Sequence, residues 1–377
     1  MTTALFQPLR VRSLKLKNRV VIAPMMQHAA PGGFANHWHL VHLGKFALGG
    51  AGLIITESTA VSPVGRIGKD DVGLWEDAHI EPWRQVVDFV RQCDSAIGVQ
   101  LGHAGRKAGS KALWDGGRAL TPEEMSDTDA RWKRIGPSAI PAGDGWSSPH
   151  AMTISDIEGV IQEFADATQR ADKAGFDVVE LHFGHGYLVT SFLSPISNKR
   201  TDSYGGDLEG RMRLAVEIAS RVRQAWPKEK PIWCRLSVVD GAVGGWSEDD
   251  SIELVRRLQH VGIDVIDCSS GGLTEQTNAL PVARGLGFQV PFSRRIKSET
   301  SVITQAVGMI LDAHQAEEVL TSNGADLIAI GREALFDPYW PLHAQWILER
   351  DPEFTDWHLR HKVWLSKRQA FLDTLTN

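Results

Sequence analysis

The sequence predicts an α/β protein, and specifically a (β/α)8 TIM barrel. Eight short apolar runs recur along the chain, most of them are separated by segments of helical periodicity, and polar side chains follow the runs. Strands that alternate with helices pair in parallel, and a closed barrel brings their carboxyl ends to one face. Barrels reach 377 residues as one unit, so we expect a single domain over residues 1–377.

The candidate strands are short runs of β-branched and apolar residues. They occupy residues 19–23, 52–56, 96–101, 177–181, 231–236, 264–268, 302–307 and 326–330. The clearest helix between them is predicted to begin at a capping box of Ser155 and Glu158 and to end at Gly175. A second helix is predicted over residues 247–260, and a third follows Asp312, which is a suitable N-cap residue.

An open, doubly wound sheet is the alternative arrangement of eight such units. A dinucleotide-binding sheet of that kind carries a Gly-x-Gly-x-x-Gly turn directly after an early strand. The nearest candidate, the glycine-rich run at residues 241–245, has the wrong spacing and does not begin a convincing helix. The closed barrel is therefore preferred.

One connection, at about residues 109–153, is far longer than an ordinary loop and is rich in Gly, Pro, Ser and Trp. In the barrel this excursion, between the third strand and the third helix, leaves the carboxyl end of the third strand. There it would cover the mouth of a site as a lid or contact another subunit. A packed excursion without such a role is the other interpretation.

Composition excludes several classes of protein. The formal charge of −6 and pI near 6.2 provide no basic surface for nucleic acid, so small molecules are the expected partners. The first twenty residues lack the apolar core of a signal peptide, and no apolar run is long enough to cross a bilayer, so we expect a cytoplasmic location and no membrane partner. Cys93, Cys234 and Cys268 are too widely spaced for a metal cluster and are expected to be buried thiols.

Side chains able to do chemistry follow each predicted strand. In chain order they lie at residues 24–28, 57–60, 100 with 103 and 106–107, 182 with 185 and 187, 235, 269–272, 308, and 331–332. Loops after the seventh and eighth strands commonly bind phosphate in barrels. Gly308 and Gly331 allow the backbone to approach a phosphate, and Arg332 adds donors, which indicates a phosphorylated cofactor. A tight turn with a surface arginine is the alternative.

Two further side chains suit a flavin. Arg235 interrupts an apolar strand, so it either faces an anionic ligand, such as the N1 and O2 region of a reduced flavin, or forms an internal salt bridge. Gln100 donates and accepts, as the pyrimidine edge of a flavin requires.

The segment after the fourth strand contains the candidate catalytic group. His182 and His185 can point into one pocket, where their N–H groups would polarise a carbonyl or nitro oxygen. Tyr187 suits a general acid, and a packed core tyrosine is the alternative. Zinc would need a further ligand such as His28, His103 or Glu57, whose spacing matches no known site, so no metal is expected.

Several motifs together resemble the Old Yellow Enzyme family. They are Pro24-Met25, the run Gln-Leu-Gly-His-Ala-Gly-Arg-Lys at 100–107, His182-x-x-His185-Gly186-Tyr187-Leu188, Phe192-Leu193-Ser194-Pro195, Asn198-x-Arg200-Thr201-Asp202-x-Tyr204-Gly205-Gly206 with Arg211, and Ile330-Gly331-Arg332. The resemblance runs from about residue 5 to residue 341 and is most specific over residues 180–211. The His-x-x-His pair resembles the bacterial YqjM-like and xenobiotic reductase branch rather than the His-x-x-Asn branch.

The resemblance implies an ene-reductase with noncovalent FMN, reduced by NADPH or NADH, acting on α,β-unsaturated carbonyl or nitro compounds. The implied FMN-binding residues are Ala23, Pro24, Met25, Met26, Ala60, Gln100, Arg235, Gly308, Gly331 and Arg332. The implied substrate-binding residues are His28, His182, His185 and Tyr187. The implied mechanism is ping-pong: NAD(P)H reduces FMN and leaves, hydride then passes to the β carbon of the substrate, and Tyr187 protonates the α carbon.

Two positions depart from that branch. Met26 replaces the usual cysteine with a thioether that has no proton to donate, and His28 replaces a frequent tyrosine. Flavin potential and substrate range therefore stay open. The alternatives are a reductase of other xenobiotics, such as nitro compounds or nitrate esters, and an inactive barrel that binds a phosphorylated ligand.

The C-terminal tail, at about residues 342–377, is individual to this chain and carries Trp357, Arg360 and Trp364. The resemblance implies a homo-oligomer, either a dimer or a tetramer, in which such a tail can reach a neighbouring subunit's pocket.

Overall fold

Eight parallel strands close into a barrel, which confirms the predicted fold class. The computed structural model describes residues 3–126, 132–273, 284–349, 351 and 353–376. The barrel strands are β1 (Val20–Ile22), β2 (Leu53–Ala60), β3 (Ala96–Gly102), β4 (Val178–Phe183), β5 (Ile232–Ser237), β6 (Val265–Ser269), β7 (Ile303–Val307) and β8 (Leu327–Ile330). The pairing of β8 with β1, for example Ile328 with Val20, closes the barrel.

Helices surround the barrel between successive strands. They are α1 (His37–Leu48), α2 (Ile80–Gln92), α3 (Ile154–Ala174), α4 (Leu208–Ala225), α5 (Glu248–His260), α6 (Val290–Glu299), α7 (Ala313–Thr321) and α8 (Arg332–Phe336), followed by α9 (Trp340–Glu349) and α10 (Leu359–Thr376). Shorter helices occupy Pro122–Ser126 and Leu188–Leu193. None of the helices within these described ranges is long and apolar enough to cross a membrane.

The predicted start of α3 was wrong by two residues. Thr153, not Ser155, is the N-cap: its hydroxyl accepts from the Asp156 N–H, and the Asp156 carboxylate accepts from the Thr153 N–H. This Thr-x-x-Asp capping box overlaps the predicted Ser155–Glu158 box. The helix already includes Ile154, so the residue before it, Thr153, is the N-cap. The predicted end is confirmed, since Gly175 has a φ of 94°.

The interior of the barrel is apolar at one end and polar at the other. A hairpin of Leu9–Val11 and Leu14–Leu16 covers the amino-terminal end, where the inward side chains are apolar: Val21, Leu53, Val178, Trp233, Val265 and Leu327. Farther along the strands the buried inward side chains are polar: Gln100, Glu180, Arg235, Asp267 and Gln305. Barrel interiors are normally filled by branched apolar residues, so these groups must satisfy one another or a ligand.

The excursion after β3 is packed rather than extended. Two short strands, Ile135–Gly136 and His150–Ala151, pair with each other, and residues 127–131 of the predicted 109–153 segment lie outside the described residues. Buried Arg134 donates to the carbonyls of Ala108, Gly109 and Leu120 at 2.8, 3.0 and 3.1 Å. These bonds hold the excursion against the carboxyl end of β3.

The cysteines differ in exposure. Cys234 and Cys268 are buried, as predicted, whereas Cys93 is only partly buried because it follows the last turn of α2 near the surface. All three are free thiols.

Candidate active site

A cavity of about 440 Å³ opens at the carboxyl end of the strands, within the roughly 300–1,000 Å³ range of small-molecule pockets. Seven predicted cofactor residues line it: Ala23, Pro24, Met25, Arg235, Gly308, Gly331 and Arg332. The predicted residues Met26, Ala60 and Gln100 lie outside this lining. Phe288 and Gln289, which sequence reasoning missed, also line the cavity, and no local motif marks them.

Of the two glycines that line the cavity, Gly308 has no room for a side chain, whereas Gly331 does. Gly308 has a φ of 113°, and an added Cβ would come within 2.9 Å of Gln289 Nε2 and of the Phe288 ring. Only glycine fits there. At Gly331 an added Cβ would lie 3.7 Å from Met25 Sδ, which is an ordinary contact. Arg332 is exposed at the rim.

Arg235 forms the internal salt bridge that its sequence context allowed, and it also lines the cavity. The residue is 8% exposed, and its Nη1 lies 3.4 Å from Asp267 Oδ2. Its Nε finds no hydrogen-bond partner among the described residues. The guanidinium therefore forms an internal ion pair and still has a donor to offer a ligand.

These residues fit the FMN that the resemblance implies. The glycine backbone around Gly308 and the exposed Arg332 supply donors suited to a phosphate, and the buried Arg235 supplies a cation. The cavity between them is large enough for a small-molecule cofactor.

The predicted catalytic side chains form one contiguous cluster beside Arg235. His182 Nε2 lies 3.3 Å from His185 Nδ1, and the rings of His182 and Tyr187 meet edge to face with centroids 5.0 Å apart. His182 is paired in register with Arg235 on β5. The alternation of β4 turns His182 inward at its carboxyl end, and the tight turn that follows, with His185 at a φ of 60°, returns the second ring to the first.

Hydrogen bonds fix the tautomers of both histidines. His182 Nδ1 accepts from the Gly184 N–H at 3.2 Å, so the proton of the neutral ring is on Nε2 and points to His185 Nδ1. His185 Nδ1 is then an acceptor, and its Nε2–H donates to Ser269 Oγ at 2.7 Å. Ser237 Oγ accepts from the His185 backbone N–H at 2.8 Å. Sequence reasoning missed Ser237.

Burial sets the protonation states of this cluster. Burial, followed by the positive charges of Arg235 and Lys107, lowers the pKa of His182 to about 3. Burial, Arg235 and His182 likewise lower the pKa of His185 well below its ordinary value. Burial, together with the charge of Asp71, raises the pKa of Tyr187 above its ordinary value. At neutral pH the cluster therefore consists of neutral imidazoles and a protonated phenol.

Lys107 joins the loops after β4 and β6, and two glycines allow the backbones of these loops to approach closely. Lys107 Nζ donates to the carbonyls of His185 and Gly272. An added Cβ at Gly186 would lie 2.1 Å from the Gly272 oxygen, and one at Gly272 would lie 2.6 Å from His185 Cα. The position of His185 depends on this close approach of two backbones.

We expect Gly186→Ala to destabilise the protein more than Gly206→Ala. The two glycines have φ angles of 75° and 74°, but nothing lies within 4 Å of an added Cβ at Gly206. Gly206→Ala should cost roughly 1–2 kcal/mol for the left-handed backbone, and the clash at Gly186 should add roughly 1–3 kcal/mol. Urea unfolding of both variants measures the difference. Equal losses would show that the two loops do not need their close contact.

His28, the predicted substrate contact, lies between Asp71 and Trp114. Its Nδ1 is 2.6 Å from Asp71 Oδ1, and its ring meets Trp114 of the excursion edge-on at 5.6 Å. Burial lowers the pKa of His28, but the hydrogen bond and charge of Asp71 outweigh burial, so the pKa is raised overall. Sequence reasoning missed Asp71, because a buried aspartate in a loop has no distinguishing pattern.

The residues considered as metal ligands have other partners. Buried His103 accepts from the Gly105 N–H through Nδ1, and buried Glu57 accepts from the Gln27 N–H at 2.8 Å. Within the described part of the chain, no three His, Cys, Asp or Glu side chains are grouped to hold a metal.

Comparison with known proteins gives consistent matches over most of the chain. The model of the NADH:flavin oxidoreductase / NADH oxidase family matches residues 4–351. The NADPH dehydrogenase of Geobacillus thermodenitrificans is 41% identical over 347 residues, covering 91% of this chain and 94% of the relative. That of Bacillus subtilis is 40% identical over 343 residues, covering 90% and 94%.

The fold comparison agrees with the sequence comparison. Morphinone reductase, solved in complex with tetrahydroNAD, superposes with a TM-score of 0.75 at 28% identity, covering 90% of both chains. The chain therefore belongs to the NADH:flavin oxidoreductase / NADH oxidase family, the Old Yellow Enzyme family that its motifs resemble, and is an FMN-dependent NAD(P)H oxidoreductase.

Proposed function

We propose that this enzyme reduces the C=C bond of α,β-unsaturated carbonyl or nitro compounds at the expense of NAD(P)H. The observation that carries the proposal is the contact of His182, His185 and Tyr187 beside the cavity that contains Arg235. Donors for an oxygen and a phenolic acid lie side by side, which is what an activated alkene needs when one carbon receives hydride and the next receives a proton.

We propose that His182 and His185 bind the substrate oxygen and that Tyr187 protonates the α carbon. FMN, when bound, supplies the hydride that the nicotinamide delivered. The neutral histidines donate hydrogen bonds without placing a positive charge beside Arg235, and the phenol of Tyr187 retains its proton until the carbon takes it. The FMN-binding assignment to Ala23, Pro24, Met25, Met26, Ala60, Gln100, Arg235, Gly308, Gly331 and Arg332 is part of the same proposal.

A substrate oxygen that binds His182 and His185 must replace hydrogen bonds that these two residues already make. The Nε2–H of His182 points to His185, and the Nε2–H of His185 points to Ser269. A substrate oxygen that takes both protons must therefore replace the 3.3 Å and 2.7 Å contacts. Ser269 can lose the hydrogen bond that it accepts from His185, because its hydroxyl can still donate a hydrogen bond to another acceptor.

We propose that His28 is a further substrate contact and that it affects which substrates the site accepts. Its ion pair with Asp71 keeps it protonated over a wider pH range than an ordinary histidine, because Asp71 raises the His28 pKa. A tyrosine hydroxyl at this place would not carry that charge.

We also infer that residues 1–377 act as one domain and that the described part of the 109–153 excursion covers the site. The excursion supports this placement through Trp114 on His28 and through Trp132, which packs on Ala104 and Ala108 beside Tyr187. A homo-oligomeric state and small-molecule partners without nucleic acid are part of the proposal.

Product analysis with matched substrates tests the proposed reaction. Incubated anaerobically with NADPH, the enzyme should convert 2-cyclohexenone to cyclohexanone and leave cyclohexene unchanged, because cyclohexene has no oxygen for the histidine pair. The allylic alcohol 2-cyclohexenol as the product would assign hydride to the carbonyl carbon and overturn the proposal. A nitrate ester is tested in a parallel reaction. Reduction of the nitrate ester without reduction of 2-cyclohexenone would support the alternative, a reductase of other xenobiotics.

A further inference from the structure

Two carboxyl groups and one guanidinium are buried together inside the barrel. Glu180 on β4 and Asp267 on β6 are both 0% exposed, and Arg235 lies on β5 between them. Asp267 has the ion pair with Arg235, whereas Glu180 accepts one hydrogen bond, from Gln100 Nε2 at 2.8 Å. The second oxygen of Glu180 and both oxygens of Asp267 find no hydrogen-bond partner among the described residues, so the ion pair with Arg235 is what distinguishes Asp267 from Glu180.

Charge counting shows that the cluster does not tolerate two carboxylates. With both ionised, one guanidinium would face two fully buried negative charges, and the Glu180 carboxylate would be stabilised by only one hydrogen bond from a neutral group. With Glu180 protonated, one carboxylate balances one guanidinium and the cluster is neutral. Burial, followed by the charge of Asp267, raises the pKa of Glu180, and burial also raises the pKa of Asp267, which agrees with one proton in the cluster. The ion pair of Asp267 with Arg235 leaves that proton on Glu180.

We propose that Glu180 holds a proton in the folded enzyme and so acts as a positioning residue that keeps the charge of Arg235 available to FMN. The groups that face Glu180 are Gln100 from β3, Arg235 from β5 and Asp267 from β6. Loss of the Glu180 proton gives the cluster a net negative charge next to the cavity. The inference rests on the proposed placement of FMN against Arg235.

The test compares FMN binding to apoprotein across pH in the wild type and in Glu180→Gln, which keeps the shape and acceptor of the side chain but cannot ionise. Because burial raises the pKa of Glu180 to about 8, wild-type affinity should fall by roughly tenfold as the pH rises through that value and Glu180 loses its proton. Glu180→Gln should keep its affinity. The titration of FMN itself is common to both proteins, so the difference between the curves isolates Glu180.

Two more variants sharpen the comparison. In Asp267→Asn the neighbouring negative charge is gone, so the fall in affinity should move to lower pH. Glu163→Gln is the matched control: burial also raises the pKa of this half-buried carboxyl, to about 7, but it lies on α3, outside the cluster. Its curve should follow that of the wild type.

Unfolding of the apoprotein provides a readout that does not depend on FMN. Because the folded-state pKa of Glu180 is raised, stability should decline as pH rises from the ordinary carboxyl range towards that pKa, since only the unfolded chain releases the proton. In Glu180→Gln this part of the decline of the free energy of unfolding with pH should be absent. Unchanged slope and unchanged FMN curves in Glu180→Gln would overturn the inference, whereas absence of FMN binding in every protein would overturn the proposed site.

Discussion

Tyr187→Phe should slow the reoxidation of the reduced enzyme by 2-cyclohexenone by about 10²–10⁴-fold, the usual contribution of a positioned general acid. Phenylalanine keeps the ring that contacts His182, whose centroid is 5.0 Å away, and removes only the proton that the α carbon needs. Reduction of the enzyme by NADPH involves no such proton, so its rate should change little.

Stopped-flow absorbance under anaerobic conditions measures the two half-reactions separately. Tyr339→Phe is the matched control, because Tyr339 loses the same hydroxyl but stacks on Trp357, outside the cluster, with centroids 5.5 Å apart. Equal slowing of both half-reactions in Tyr187→Phe would assign the residue a structural role and remove it as the proton donor.

Arg235→Met should weaken FMN binding by roughly 10- to 100-fold, the equivalent of the roughly 1.5–3 kcal/mol of a hydrogen bond to a charged group. The same change leaves Asp267 buried without its cation, and removing one partner of a buried ion pair costs about 3–5 kcal/mol. Protonation of Asp267 would relieve part of that cost, so the loss of stability should be smaller at low pH.

Fluorescence titration with FMN and urea unfolding at two pH values measure both effects. Arg235→Lys is the matched variant, because it retains the charge but loses the forked donors. It should recover most of the stability and only part of the FMN affinity. Wild-type FMN affinity in Arg235→Met would show that the cofactor does not use this guanidinium.

The barrel was predictable because its signals are local. Each strand is a short apolar run, and the caps Ser247 and Asp312 mark α5 and α7 at the predicted places. The start of α3 was missed because two capping boxes overlap, and local pattern does not decide between Thr153 and Ser155.

The candidate site was predictable only in part. His182, His185 and Tyr187 are close in sequence, so one turn brings them together. Glu180 and Asp267 were not identified, because they lie inside apolar runs and come near Arg235 only when β4 and β6 pair with β5. Residues that are distant in sequence become neighbours through strand register, which a single sequence does not reveal.

Met26 and His28 remain the positions at which this chain departs from its branch, and their consequences differ. Met26 lies outside the cavity lining. His28 is held by Asp71 and Trp114 at the proposed substrate side. We therefore expect His28 to affect the choice of substrate.

An anaerobic titration tests the central claim most directly. The purified protein should carry the absorbance of bound FMN, lose it with one equivalent of NADPH, and recover it with one equivalent of 2-cyclohexenone while cyclohexanone forms. A protein that NADPH bleaches but that no activated alkene reoxidises would contradict the claim that this flavin site reduces C=C bonds.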